Sequence, residues 1–214
     1  MGQLFIDEDN LPEMQEAFAA ARLKNSDDAK SLYLLEADLL SKNDYIVAAL
    51  ALLNKALEEH ETDINLLYSR AMISEKANDL ASMENDLRTI LGMEPDNAMV
   101  LNALGYTLVD RTDRYHEALE LIKRANELKP NDPAITDSLG WAMFRLGNYQ
   151  EAIRLLEKAL ADFPDHEVAA HLGEVLWYTG EHDRAREVWR EALERRPDSK
   201  ILKRVIERLA PQMQ

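Results

Sequence analysis

The chain has 214 residues, 46% hydrophobic and 30% charged, with 7 Gly and 7 Pro, a composition that suits one or two globular domains and excludes disordered or collagen-like chains. Forty Asp and Glu against 25 Lys and Arg give a net charge of -15, which repels phosphate backbones and anionic headgroups, so no nucleic-acid partner is expected. The absence of Cys removes disulfides, thiolate nucleophiles and Cys-type metal sites, and leaves the redox compartment open.

In chain order, the N-terminus carries neither a basic segment nor an apolar run, so no secretory signal is expected in the chain as given. Gly2 is followed by Ile6 where myristoylation wants Ser or Thr. Residues 1 to 30 hold seven acids and three bases. Within them Met14 to Lys24, with Phe18 and Ala21 in helical phase, reads as the second helix of a truncated earlier repeat. From there a period of 34 governs the chain. Small residues recur at Ala37, Ala71, Gly105, Gly140 and Gly173. A second series is Ala49, Met83, Ala118, Ala152 and Ala185, and a third is Ala56, Ile90, Ala125, Ala159 and Ala192. A fourth runs Glu61, Pro95, Pro130, Pro164 and Pro197. Four series in one phase define five repeats, 30–63, 64–97, 98–132, 133–165 and 166–198.

Each repeat predicts two helices. The first breaks near position 15, at Asp44, Asn78, Gly147 or Gly180, residue types that tolerate a left-handed turn; the third repeat has one extra residue in its turn, between Asp110 and Tyr115. The second helix stops at the Pro series, and the Asp or Asn after each Pro (Asp96, Asn131, Asp165, Asp198) is expected to cap the next helix, with Asp132-Pro133 giving cap and first-turn Pro together. Position 24 carries the large partner of the small residue: Leu53, Leu87, Ile122, Leu156 and Trp189. Positions 3 and 10 (Leu32, Leu66, Val100, Ile135 and Val168, with Leu39, Ile73 and Val175) form an apolar edge for the neighbouring repeat. Residues 199–214 are expected to form a capping helix, with Ile201, Leu202, Val205, Ile206 and Leu209 at helical spacing; a membrane-surface role for it is disfavoured by the acidic body. The longest near-continuous apolar run, Tyr45 to Leu53, is half of a membrane span, so no direct membrane insertion is expected.

On these residues the chain resembles the tetratricopeptide repeat family, whose signature is a small residue at position 8, Ala at 20 and 27, and Pro at 32. The match is strongest for Leu104-Gly105 with Ala118, Ala125 and Pro130, and for Leu139-Gly140 with Ala152, Ala159 and Pro164; it weakens where Glu61 replaces Pro and Met83 replaces Ala. The resemblance covers about four fifths of the chain. It implies an all-α, right-handed solenoid whose concave surface, formed by positions 2, 5, 9 and 12, receives partner peptides or helices.

That face holds Tyr68, Met72, Glu75, Tyr106, Asp137, Trp141, Phe144, Glu174 and Trp177, with Asp110 one residue beyond it. Aromatic rings interleaved with carboxylates suit a partner protein with apolar anchors and basic flanks; the alternative is that some of the rings pack against the next first helix or against the tails. Clamping of an acidic carboxy terminus is excluded, since the face has almost no cations and only Lys42 and Lys76 lie beside it.

Other chemistry finds no support. His166 and His171 are five apart where a zinc-protease helix needs i and i+4, so they are expected to be a helix-start His and an unrelated surface His. No phosphate loop, nucleophile elbow or dinucleotide turn is present, so no catalytic, metal or cofactor residue is assigned and no cofactor is expected. The segments starting at Leu101, Asp137 and His166 resemble the C-terminal region of proteobacterial envelope tetratricopeptide lipoproteins. That resemblance implies an adaptor for a periplasmic carboxy-terminal processing protease, periplasmic or outer-membrane-associated in the full-length protein, against a cytoplasmic alternative. The competing class is a self-associating structural element, a homo-oligomer in which the truncated N-terminal helix or Leu4-Phe5-Ile6 fills the groove of another copy.

Overall fold

A computed structural model describes residues 10–25 and 28–213; Gly2 and Leu4-Phe5-Ile6 lie outside the described residues. The described residues form twelve α-helices and no strand. They divide into two compact units, one up to Pro95 and one from Asp96 onward.

The N-terminal unit contains α1 (Leu11–Lys24), α2 (Ala29–Lys42), α3 (Ile46–Glu59), α4 (Ile64–Lys76) and α5 (Leu80–Met93). Helices α2/α3 and α4/α5 are hairpins that cross at Ala37 and Ala71, both fully buried together with Leu53 and Leu87. α1 packs on α2 through a buried ion pair of Arg22 with Glu36, and the Arg22 guanidinium also lies 4.3 Å from the centre of the Tyr33 ring. Burial raises the Glu36 carboxyl pKa and outweighs the opposing pull of Arg22. A second network joins α4 to α5 and α3: Arg70 donates to both Asp86 oxygens at 2.8 and 2.7 Å and to Asn54 at 2.8 Å.

The C-terminal unit contains α6 (Ala98–Arg111), α7 (Tyr115–Leu128), α8 (Pro133–Arg145), α9 (Tyr149–Asp162), α10 (His166–Tyr178), α11 (His182–Arg195) and α12 (Lys200–Leu209), then a short 3₁₀ turn at Pro211–Met213. Its hairpins cross at glycines because there is no space for a methyl group. A Cβ on Gly105 would lie 2.6 Å from Ile122, on Gly140 2.7 Å from Leu156, and on Gly173 2.0 Å from the Trp189 ring nitrogen. The second helix of each hairpin is thereby drawn onto the backbone of the first. α12 buries Leu202, Val205 and Ile206 against the last hairpin and turns Lys200, Lys203 and Arg204 to solvent.

Turns follow the expected chemistry. Asp44 and Asn78 have φ of 64 and 62°, and Gly147 and Gly180 of 82 and 88°. Capping needs a correction. Asp165 caps α10 and Asp132 caps α8, but Asn97 and Ser199, rather than Asp96 and Asp198, cap α6 and α12. Asn131 occupies a left-handed turn with φ 67°. Where two capping residues adjoin, the one nearer Pro serves the turn, and the next reaches the free N–H groups of the helix.

Candidate functional site

In the N-terminal unit, Tyr68, Met72 and Glu75 lie half-buried along α4, at spacings of four and three residues that place them on one face. Burial raises the Tyr68 phenol pKa. Elsewhere in this unit a polar cleft of about 460 Å³ is lined by Arg70, Asp86, Asn54, Ser82 and Asn85. Its charged groups are already matched to one another, and Asp79 at its rim caps α5 by accepting from the Ser82 N–H.

The other seven residues belong to the C-terminal unit, where α6, α8 and α10 bring most of them together around a side chain that sequence reasoning misplaced. His171 is only 5% exposed; it is not a surface residue. Its Nδ1 donates to Asp137 at 2.9 Å, its Nε2 lies 3.4 Å from the Tyr106 hydroxyl, and its ring stacks on Trp141 at 4.4 Å. Sequence offered one signal, for Asp137 and His171 are 34 residues apart, one period, and so lie side by side on neighbouring first helices. The other member of the pair, His166, begins α10 and bonds Ser199 through Nδ1 at 3.1 Å.

Two face residues are therefore corrected. Trp141 and Asp137 are 5% and 8% exposed: each is covered by the following first helix, through His171, and is not an open anchor. Burial opposes a charged His171, but the Asp137 carboxylate, by attraction and by its hydrogen bond, with smaller help from Asp110 and Glu167, raises its pKa above the ordinary imidazole value.

From Trp141 the rings continue outward. Phe144 packs at 5.1 Å from Trp141, Tyr178 meets Phe144 edge-on at 5.5 Å, and Tyr149 closes the group at 6.0 and 5.2 Å from Phe144 and Tyr178. Tyr178, unassigned by sequence reasoning, is 64% exposed. Trp177 stands apart. It stacks on His182 at 4.2 Å and on Trp189 at 5.7 Å, with Arg186 at 5.2 Å from its ring centre, so its surfaces are largely committed within the last hairpin.

The charges are also more committed than alternation suggested. Glu174 accepts from Arg208 of the capping helix at 2.6 Å. Asp137 is matched by His171, to which Asp110 adds a smaller attraction. Arg145, also unforeseen, donates to the Val109 and Asp110 carbonyls at 2.9 and 3.4 Å and to the Tyr115 hydroxyl, satisfying the open carbonyl end of α6. Among the described residues no group of three or more His, Asp or Glu is placed to hold a metal ion, and no helix is long and apolar enough to cross a membrane.

A tetratricopeptide repeat profile matches residues 138–201. A relative described as a TPR repeat-containing protein, PA4667 of Pseudomonas aeruginosa, is 56% identical over 154 residues, covering 72% of this chain. The chain spans 26% of that relative's length. The crystal structure of a thermophilic TPR protein of Thermus thermophilus superposes with a TM-score of 0.74 at 25% identity, over 84% of this chain and 98% of that one. YrrB, described as a TPR protein with an unusual peptide-binding site, superposes with a TM-score of 0.57 at 24% identity, over 89% of this chain and 98% of its own. The 34-residue period, the helical hairpins closed on small residues and these likenesses agree: the chain belongs to the tetratricopeptide repeat family.

Proposed function

We propose that the chain is an adaptor module that captures an apolar segment of a partner protein on the first-helix face of its C-terminal unit. Proteins of this family act as non-catalytic protein-interaction scaffolds. The observation that carries the reading is the ring group that starts on buried Trp141 and ends on exposed Tyr178. Rings fixed by one another lose little entropy on binding, which makes them efficient anchors. Asp110 supplies the negative charge for a basic residue flanking the apolar segment; Glu174 and Asp137, already matched, contribute shape more than steering.

At the finer level we infer an adaptor that brings substrates to a carboxy-terminal processing protease in the periplasm, as part of a longer outer-membrane-associated protein. The resemblance carried by the segments at Leu101, Asp137 and His166 supports this reading. The experiment mixes the chain with a purified protease of that class from the same cells and follows co-elution and substrate cleavage. Co-elution or faster cleavage that is lost in Phe144→Ala/Tyr178→Ala supports the adaptor; an unchanged rate and separate elution reject the protease reading and leave the scaffold reading to be tested with other partners.

A second reading, self-association, is favoured by exposed apolar side chains of the N-terminal unit: Leu23 at 89%, Val47 at 83% and Leu35 at 50%. Sedimentation over a concentration series distinguishes it, since a dimer held by these side chains dissociates in Leu23→Ser/Val47→Ser.

A further inference from the structure

We propose that His171 is the positioning residue of the aromatic face, a protonation-dependent clamp that joins the first helices of the third, fourth and fifth repeats and holds Trp141 in place. The inference stands on geometry. One buried imidazole touches α6 through Tyr106, α8 through Asp137 and the Trp141 ring, and is itself part of α10. A single side chain thus ties three successive first helices together by ring and hydrogen-bond contacts. Its bearing on ligand capture rests on the groove reading; the clamp itself is a property of the free protein and is tested there.

The two protonation states bond differently. With both nitrogens protonated, Nδ1–H and Nε2–H donate to Asp137 and to the Tyr106 oxygen, and the positive ring offsets a carboxylate that has lost most of its water. When Nε2 loses its proton, Nδ1–H still serves Asp137, and Tyr106 must turn its hydroxyl to donate. The carboxylate then remains buried without a counter-charge, a costly state. The charged and titratable groups facing the ring are Asp137 from α8, Asp110 and Tyr106 from α6, and Glu167 from α10 itself. Nearby charges on other helices are engaged elsewhere: Arg208 of α12 holds Glu174, and His182 of α11 stacks on Trp177.

The sign comes from linkage. A histidine whose folded pKa is raised adds stability that is fully present below its unfolded value, near 6.5, and is lost as pH rises through the folded value. The clamp is therefore tight below about 6.5 and loosens as pH rises through the folded value above it.

The test is an NMR titration of the full chain, with His60, His116, His166 and His182 as internal references. The expected result is a His171 midpoint above 6.5, a proton kept on Nδ1 throughout, and a Trp141 indole N–H resonance that moves with that midpoint. Asp137→Asn should lower the midpoint, because burial is then opposed only by the smaller attraction of Asp110 and Glu167. His171→Gln should remove the fall in melting temperature above that pH while leaving the four reference histidines unchanged. A His171 midpoint at or below 6.5 in the parent chain, or a Trp141 resonance indifferent to it, overturns the clamp without any variant having to fold. If the clamp titrates as expected and Phe144→Ala/Tyr178→Ala still captures the partner, the groove reading fails and the clamp stands.

Discussion

The two units solve one packing problem in two ways. In the N-terminal unit the hairpins cross at Ala37 and Ala71 against Leu53 and Leu87, and buried charge sits in Arg-carboxylate pairs, Arg22 with Glu36 and Arg70 with Asp86. In the C-terminal unit glycine replaces alanine at the crossing, a branched or aromatic side chain fills the space, and the buried polar centre is an imidazole held among rings. Mid-helix glycine costs about 1 kcal/mol relative to alanine. Accepting it three times shows that close backbone approach outweighs helix propensity at these crossings.

The largest expected effects are at the crossings. Trp189→Ala should lose about 4 kcal/mol and its counterpart Leu87→Ala about 3 kcal/mol in urea melts, because both side chains are fully buried and the larger one leaves the larger void. Equal losses would mean that the aromatic crossing is no tighter than the aliphatic one. Gly173→Ala should cost roughly 2 kcal/mol net, since overpacking against the Trp189 ring exceeds the gain in helix propensity. A similar loss, about 2 kcal/mol, is expected for Asp86→Ala, which strands the partly buried Arg70; the melting temperature should register it. Gly92→Ala should act in the opposite direction, stabilising by about 0.5 kcal/mol, because nothing lies within 4 Å of the added methyl group. A destabilised Gly92→Ala variant would show that glycine has a backbone duty in the N-terminal unit as well.

Much of this contrast is legible in the chain. The period, the small residues and their large partners at Leu53, Leu87, Ile122, Leu156 and Trp189 mark the crossings, and Asp44, Asn78, Gly147 and Gly180 mark the turns, because each of those positions obeys a local rule. The caps are legible only to within one residue, since Asp96-Asn97 and Asp198-Ser199 offer two candidates and only the direction of the backbone chooses between them. The interior of the face is not legible. Helical arithmetic places Trp141 and Asp137 on one side of α8, but whether that side meets solvent depends on how far the next first helix leans over it. His171 decides this, and it lies one position off the stripe. Arg208 is hidden for a related reason: apolar spacing points only to the inner side of the capping helix, whereas its opposite edge supplies the cation for Glu174. Exposed Tyr178 follows Trp177 directly, and helical spacing places Trp177 on the stripe and Tyr178 one residue beyond it.

The central claim is that partner capture occurs on the ring-bearing face of the C-terminal unit, and site-specific photo-crosslinking tests it most directly. A photoreactive amino acid is placed at Phe144 or Tyr178 on that face, and at Arg154 or Ala161 on α9, both exposed, as controls. The expected result is a partner crosslink from positions 144 and 178, suppressed when the unlabelled chain is added in excess, and none above background from 154 and 161. Crosslinks that arise from α9 while positions 144 and 178 stay silent would contradict the claim and move recognition to the second helices.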